Sequence, residues 1–277
     1  MSSNLIYHYC DPIAFINIIQ NKKLWLSKIN YMNDYLEIDW FLNLINKEVD
    51  KVKDEENSGL LNSFKERVYN ANIGPYICCF SNAKDKLSQW RAYASDGKGV
   101  AIGIDRGSLN INNTSTVSSL DNNIDLRLLD VCYDKTKQNM EAKSIVELIC
   151  NEKNAEGELV RPGSAYHHNK SIEALIIASM HKNPAFIEEE EVRIVYTPHF
   201  SINQDNYTAT NNSLDPIKFR MTGNKLTSYF EFPIKSNSIK EVVLGPKCEI
   251  NSSELKTLLN IETLNHVEIN QSKASYR

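Results

Sequence analysis

The chain has no long hydrophobic run, no marked excess of one charge and no metal-binding pattern of cysteines or histidines. No apolar stretch approaches the roughly 18 residues that a membrane-spanning helix needs. The opening residues, MSSNLIYHY, carry neither the basic start nor the apolar core of a secretory signal. A cytoplasmic protein with no membrane partner is the expectation. Lys and Arg number 31 against 35 Asp and Glu, a formal net charge of −4. Nothing therefore draws the whole molecule toward nucleic acid or anionic lipid, although a local basic groove is compatible with that average. The six cysteines, Cys10, Cys78, Cys79, Cys132, Cys150 and Cys248, include no CxxC pair. Free thiols in a reducing compartment fit that scatter better than a disulfide framework or a zinc site. His167-His168 lacks an HExxH or HxE…CxxC partner, so no metal is expected. A GxxxxGK[ST] loop is also missing, and Asp96-Gly97-Lys98-Gly99 reads as a strand-to-strand turn. No internal repeat and no linker interrupts the 277 residues.

What is present begins with Leu5–Glu37, LIYHYCDPIAFINIIQNKKLWLSKINYMNDYLE. A short apolar strand, Leu5–Tyr9, carries one histidine, His8. Asp11-Pro12 supplies an N-cap acceptor and a proline for the first helical position. Ile13, Phe15, Ile16, Ile18 and Ile19 give that helix its apolar face, and a second strand follows at Lys23–Ser27. Strand, short helix and strand hold one imidazole rigidly, either as a structural core histidine or as a site residue.

Asn33–Tyr69 has apolar residues at helical spacing, broken at Asn57-Ser58-Gly59, and is read as helices that cover a sheet. Pro75–Asp105, PYICCFSNAKDKLSQWRAYASDGKGVAIGID, holds a buried strand, a loop, a short helix and another strand. Trp90, Arg91 and Tyr93 fall within two turns, at a strand–helix junction suited to stacking on a flat cationic ring. The Asn-, Ser- and Thr-rich segment at about 106–125 reads as a surface loop excursion. In FIEEEEVRIVY, Phe186–Tyr196, four glutamates run directly into an alternating strand. That arrangement puts the last carboxylate at the edge of the sheet, and Glu189 and Glu191 share a side if the segment is extended. Ser201–Asn212 reads as a loop, and further short strands and a helix complete the chain. The fold expected is α+β: one domain over 1–277, with a mixed or antiparallel central sheet, covering helices and a helical insertion at about 33–70.

The blocks LIYHYCDPIAFINIIQNKKLWLSKINYMND, CFS…LSQWRAYASDGKGVAIGID, EEEEVRIVY and EVVLGP together resemble a bacterial family, domain of unknown function 2971 (DUF2971). That name implies no activity. The order of elements is also similar to the ADP-ribosyltransferase fold, which implies NAD as substrate and no metal. By that resemblance His8 matches the first-strand histidine. Tyr9, Phe80, Ser81, Ser88, Trp90, Arg91 and Tyr93 fall in the regions that grip NAD, with the stacking ring left open among Tyr76, Phe80, Trp90 and Tyr93. Glu191 matches the strand-entry glutamate that stabilises an oxocarbenium-like ribose, and Glu189 the upstream carboxylate that orients or deprotonates an acceptor. Arg91 or Arg193 is left as partner for the pyrophosphate, Arg193 equally as a structural partner of a neighbouring glutamate.

The function expected is an NAD-dependent ADP-ribosyltransferase or NAD glycohydrolase, a toxin or defence effector acting on a protein or nucleic-acid acceptor. Two alternatives are carried with it. One is a non-catalytic relative that binds a nucleotide or a partner protein. The other is a metal-dependent hydrolase or nuclease built on the glutamate run.

Overall fold

The computed structural model describes residues 4–29, 36–69, 74–111, 125–151, 165–198, 200–203, 206–209 and 213–276. The centre of the molecule is a fork. Strand β1 (Leu5–Cys10) and strand β2 (Lys23–Lys28) flank helix α1 (Pro12–Asn21), and each pairs along its length with a different neighbour. β1 pairs antiparallel with β4 (Val100–Asp105), from Leu5 opposite Asp105 to Cys10 opposite Val100. β2 pairs antiparallel with β10 (Lys225–Pro233), from Ser27 opposite Tyr229 to Lys23 opposite Pro233. Between them lies β3 (Tyr76–Ser81), which meets β1 only at Tyr7–Ser81 and β2 only at Ser27–Ile77 and Lys28–Tyr76. Cys78, Cys79 and Phe80 thus pair with neither strand on that side.

The other edge of β3 is fully paired to β6 (Glu191–Tyr196), and β6 in turn to β5 (Leu126–Asp130). One wing of the ten-stranded sheet continues from β4 to β11 (Ile239–Leu244) and β12 (Glu268–Gln271), and the other from β10 to β9 (Lys218–Thr222). All of these pairings are antiparallel except β11 with β12. The result is the mixed α/β architecture with a large, mostly antiparallel sheet. Ser201–Asn212, read as a loop, instead contributes to a separate hairpin of β7 (Phe200–Asn203) and β8 (Asn206–Ala209). Each of these strands is only four residues long, at the lower limit of what alternation can mark, and the Asn-rich sequence around them reads as loop.

Local chemistry explains α1. Asp11 Oδ1 accepts from the Ile13 and Ala14 amides at 2.8 Å, Pro12 occupies the first turn, and Lys22 closes the helix in the left-handed region. Phe15, Ile18 and Ile19 are buried against Leu24, Leu26, Val100 and Ile102 in the main core.

The helical insertion does more than cover the sheet. Helices α2 (Leu36–Val49) and α3 (Glu55–Tyr69) join α5 (Lys135–Asn151) and α6 (Ala165–Ala178) around a second core of Phe41, Leu61, Phe64, Ile145, Ile149 and Ile177. Asn57-Ser58-Gly59 lies inside α3 rather than ending a helix, because Asp54 Oδ2 accepts from the Asn57 amide at 3.0 Å and caps that turn. The part of the 106–125 excursion at 112–124 falls outside the described residues.

The Asp96–Gly99 stretch connects α4 (Leu87–Tyr93) to β4 and is therefore a helix-to-strand turn. Its last glycine is required by a close approach, since a Cβ on Gly99 would collide with the Cys10 carbonyl oxygen and crowd Ala94. Gly99→Ala is expected to cost about 1–3 kcal/mol in urea unfolding, because the colliding atom is backbone that cannot swing aside. An unchanged urea midpoint would contradict this account of the turn.

Candidate functional site

The fork opens a cavity of about 880 Å³ between α1, β3, α4 and the β2–β10–β9 wing. His8, Tyr93, Glu189 and Glu191, brought from three separate stretches, all line it.

His8 sits where the strands part. Its Nδ1 lies 2.9 Å from the Cys79 carbonyl oxygen, one of the groups that neither β1 nor β2 engages. A carbonyl only accepts, so Nδ1 carries the proton and Nε2 presents a lone pair. Burial lowers the imidazole pKa against the smaller opposing pull of the Cys79 carbonyl, which favours the neutral form. The ring packs against Phe80 at a centroid distance of 5.6 Å. The result is a fixed hydrogen-bond acceptor, matched to a ligand hydroxyl.

The glutamate run is not extended. Pro184–Glu189 forms a 3-10 turn started by Asn183, whose side chain accepts from the Ala185 amide. Glu190 adopts a left-handed conformation (φ 45°), and Glu191 opens β6. That turn is pinned to the end of β3 by Ser81 Oγ donating to the Glu189 carbonyl at 2.6 Å and the Asn82 amide donating to the Glu190 carbonyl at 2.8 Å. Nor does Glu191 lie on an edge strand, since β6 is paired on both sides. Glu189 and Glu191 still reach the same cavity, where both accept from Lys182 Nζ.

Their environments differ. Glu191 accepts from Arg193 through both oxygens, at 2.7 and 2.8 Å, and from Lys182 Nζ at 3.3 Å. Burial pushes its carboxyl up, but the Arg193 charge and hydrogen bonds, with Lys182, outweigh that and hold it well below the usual range. Glu189 accepts from Lys182 Nζ at 2.6 Å and from the Tyr93 hydroxyl at 3.2 Å. Here burial outweighs Lys182, and the carboxyl pKa is raised. Glu191 is thus a locked anion held by two cations, whereas Glu189 has Lys182 and the Tyr93 hydroxyl as its partners.

Lys182 is the residue that sequence reasoning missed. Gln138 positions it by donating to its carbonyl at 2.9 Å and to that of Cys132 at 2.8 Å, while Trp40 Nε1 donates to Gln138 Oε1 at 3.1 Å. The helical layer thereby places a site cation. A signal for it existed in the sequence: one lysine lies between a buried helix and the glutamate run.

The aromatic block divides. Tyr93 lines the cavity and is 38% exposed, free to stack on a ligand, and Phe80 and Tyr9 also line it. Tyr9 is tied down by donating to the Ala83 carbonyl at 2.8 Å. Trp90 is fully buried core, with Nε1 donating to Asp85 Oδ1 at 2.6 Å and its ring edge-on to Tyr9. Tyr76 is buried edge-on to Phe230. Neither of these rings reaches the cavity, because helix and strand periodicity turn them inward. Ser81 serves the turn described above, and Ser88 Oγ is buried off the cavity with no hydrogen-bond partner among the described residues. Neither arginine proposed for a pyrophosphate lines the cavity: Arg91 lies over the Tyr276 ring at 5.7 Å, and Arg193 bonds Glu191 and the Ser179 carbonyl.

The opposite wall, also missed, is cationic. Lys23, Trp25 and Ser27 of β2 face the cavity with Lys218, Arg220 and Thr222 of β9 and Glu231 of β10. Among the described residues, no group of three or more His, Cys, Asp or Glu side chains is arranged to hold a metal, and no helix is long and apolar enough to cross a membrane.

No curated protein and no solved structure matches the chain. The family model described as a protein of unknown function, DUF2971, matches residues 89–194. Over that span, which runs from α4 into β6 and includes Tyr93, Lys182, Glu189 and Glu191, the match supports the resemblance to this family.

Proposed function

We propose that the chain binds NAD in the forked cavity and cleaves its nicotinamide–ribose bond, as an ADP-ribosyltransferase or NAD glycohydrolase. The observation that carries the reading is the convergence of the His8 acceptor, the Tyr93 ring and the Glu189 carboxylate on one cavity large enough for a nucleotide. In this reading Tyr93 stacks on the nicotinamide, and His8 Nε2 accepts from a ribose hydroxyl. The C1′–N bond breaks, and its electron pair leaves with neutral nicotinamide. Positive charge then develops on the ribose beside Glu189. An acceptor hydroxyl, amine or water forms the new bond to C1′, and its proton passes to Glu189.

A second reading, a nucleotide-binding relative without turnover, is favoured by the state of Glu191. Its charge is already met by Arg193 and Lys182, so little of it is left for a developing cation. The metal-dependent hydrolase reading has no ligand cluster behind it among the described residues.

Incubation with NAD labelled separately in its nicotinamide and adenylate parts tests the proposal. Released nicotinamide is expected, with the adenylate label on a macromolecule for a transferase or on free ADP-ribose for a hydrolase. Tyr93→Ala is expected to weaken NAD binding about tenfold while leaving the thermal midpoint nearly unchanged, since the ring is partly exposed. Bound NAD that is never cleaved would favour the second reading. Absence of NAD binding would remove both.

A further inference from the structure

We infer that the β2–β10–β9 wall is a diphosphate subsite centred on Arg220, which binds the phosphate bridge of a dinucleotide whose reactive end lies at His8. Its place in the cavity rests on the NAD reading, whereas its chemistry rests on the wall itself.

Alternation along three neighbouring strands builds the surface. Leu24 and Leu26 of β2 and Phe230 and Phe232 of β10 point into the core, which turns Lys23, Trp25, Ser27 and Glu231 toward the cavity. On β9 the same alternation presents Lys218, Arg220 and Thr222. Lys23 Nζ and Lys218 Nζ converge on Glu231 Oε2 at 2.5 and 2.8 Å. One carboxylate is thus shared by two ammonium groups, and Arg220 adds a third cation. The other nearby carboxylate, Asp11, caps α1 and keeps its charge, so three cations face two carboxylates. This wall therefore carries uncompensated positive charge, while the Lys182–Glu189–Glu191–Arg193 cluster at the other end is balanced.

Arg220 is held in a way that leaves donors to spare. Its guanidinium lies over Trp25 at 4.8 Å from the ring centroid and over Tyr229 at 5.7 Å. Nη2 donates to Ser27 Oγ at 2.9 Å, whereas Nε is buried with no hydrogen-bond partner among the described residues. That N–H is shut off from the cavity, so the donors left for an entering anion are those of the two terminal nitrogens, of which only one is engaged by Ser27. A planar fork fixed by stacking suits a phosphate oxygen pair better than a mobile ammonium does.

Spacing also fits. Cys79, which holds His8, and Ile77, which pairs with Ser27, are two residues apart on β3, about 7 Å. A ribose anchored at His8 would extend its 5′-phosphate toward Ser27 and Arg220. That assignment fills the role left vacant by Arg91 and Arg193.

The test compares two probes on the full chain by calorimetry: ADP-ribose, which has the diphosphate but no nicotinamide, and nicotinamide riboside, which has no phosphate. Arg220→Gln is expected to weaken ADP-ribose binding about tenfold or more while nicotinamide riboside binds as to wild type. Lys218→Gln, at a half-exposed position, is expected to move ADP-ribose affinity in the same direction by a smaller factor. Wild-type affinity for ADP-ribose should also fall with added salt. Equal ADP-ribose affinity in wild type and both variants, or no ADP-ribose binding by wild type, would overturn the subsite. If nicotinamide is never released yet ADP-ribose binding depends on Arg220, the subsite is upheld and the proposed bond cleavage falls.

Discussion

Glu191→Gln is expected to lose about 3–5 kcal/mol of stability at neutral pH, the cost of removing one partner from a buried ion pair. Both cations it serves are inaccessible, with side-chain exposures of 1% for Arg193 and 2% for Lys182. A Gln amide offers one oxygen where two were used, and its NH2 group would face a guanidinium. The sign of the pH dependence follows from the direction of the shift. The folded-state carboxyl lies below its unfolded value, so its contribution is complete above the unfolded carboxylate pKa. It is lost as pH falls through the folded pKa, about 2. The gap between wild type and Glu191→Gln should therefore narrow on acidification, which urea unfolding at neutral pH and near pH 3 would read. Glu190→Gln is the control: that side chain is exposed and, among the described residues, pairs only with Lys86 at 3.1 Å, so a change within about 0.5 kcal/mol is expected. Should Glu191→Gln prove as mild as Glu190→Gln, the locked-anion description is wrong.

Glu189→Gln should leave a folded protein with near-normal NAD affinity and lower the proposed nicotinamide release by about a hundredfold or more. Its carboxylate is shared between Lys182, which keeps Glu191 as a partner, and the Tyr93 hydroxyl, so less is orphaned than at Glu191. Because burial raises the Glu189 pKa despite Lys182, kcat/KM should climb with pH through a value above that of an ordinary carboxylate. The ionised form is the proton acceptor, so the rate rises as Glu189 deprotonates. In the Gln variant that acid limb should disappear along with most of the rate. A full-rate Glu189→Gln enzyme, or an acid limb that survives the substitution, would remove Glu189 from the proposed chemistry.

Local signals carried the parts of the fold that are locally determined. Asp11-Pro12 marked α1 to the residue because cap and proline act within one turn. The apolar runs Tyr76–Ser81 and Val100–Ile104 marked β3 and β4 because buried strands need continuous apolar residues. The fork was not legible, since it arises from β1 and β2 choosing different partners more than 70 residues away in sequence. The same holds for the site. His8, Tyr93 and the glutamates stood out by position, but the contrast between Glu189 and Glu191 depends on Lys182 and Arg193 meeting them in space. Trp90 and Tyr93 looked interchangeable in LSQWRAY, and only the packing of α4 on β1 separates a core ring from a cavity ring. Arg220 lay in a segment with no motif, and the rings it stacks on, Trp25 and Tyr229, belong to two other strands.

The fork has an evolutionary consequence. His8, Tyr93, Glu189 and Glu191 are anchored on β1, β3, α4 and β6, whereas Lys218, Arg220 and Glu231 ride on the β9–β10 hairpin, joined to the rest of the sheet through β2. Two rungs, Ser27–Ile77 and Lys28–Tyr76, are all that β2 shares with β3. The cavity-facing residues of the hairpin could change without repacking Phe230, which sits in the core against Tyr76 and Tyr196. Such a layout would let the cavity-facing residues of β9 and β10 vary while those on β1, α4 and β6 stay fixed.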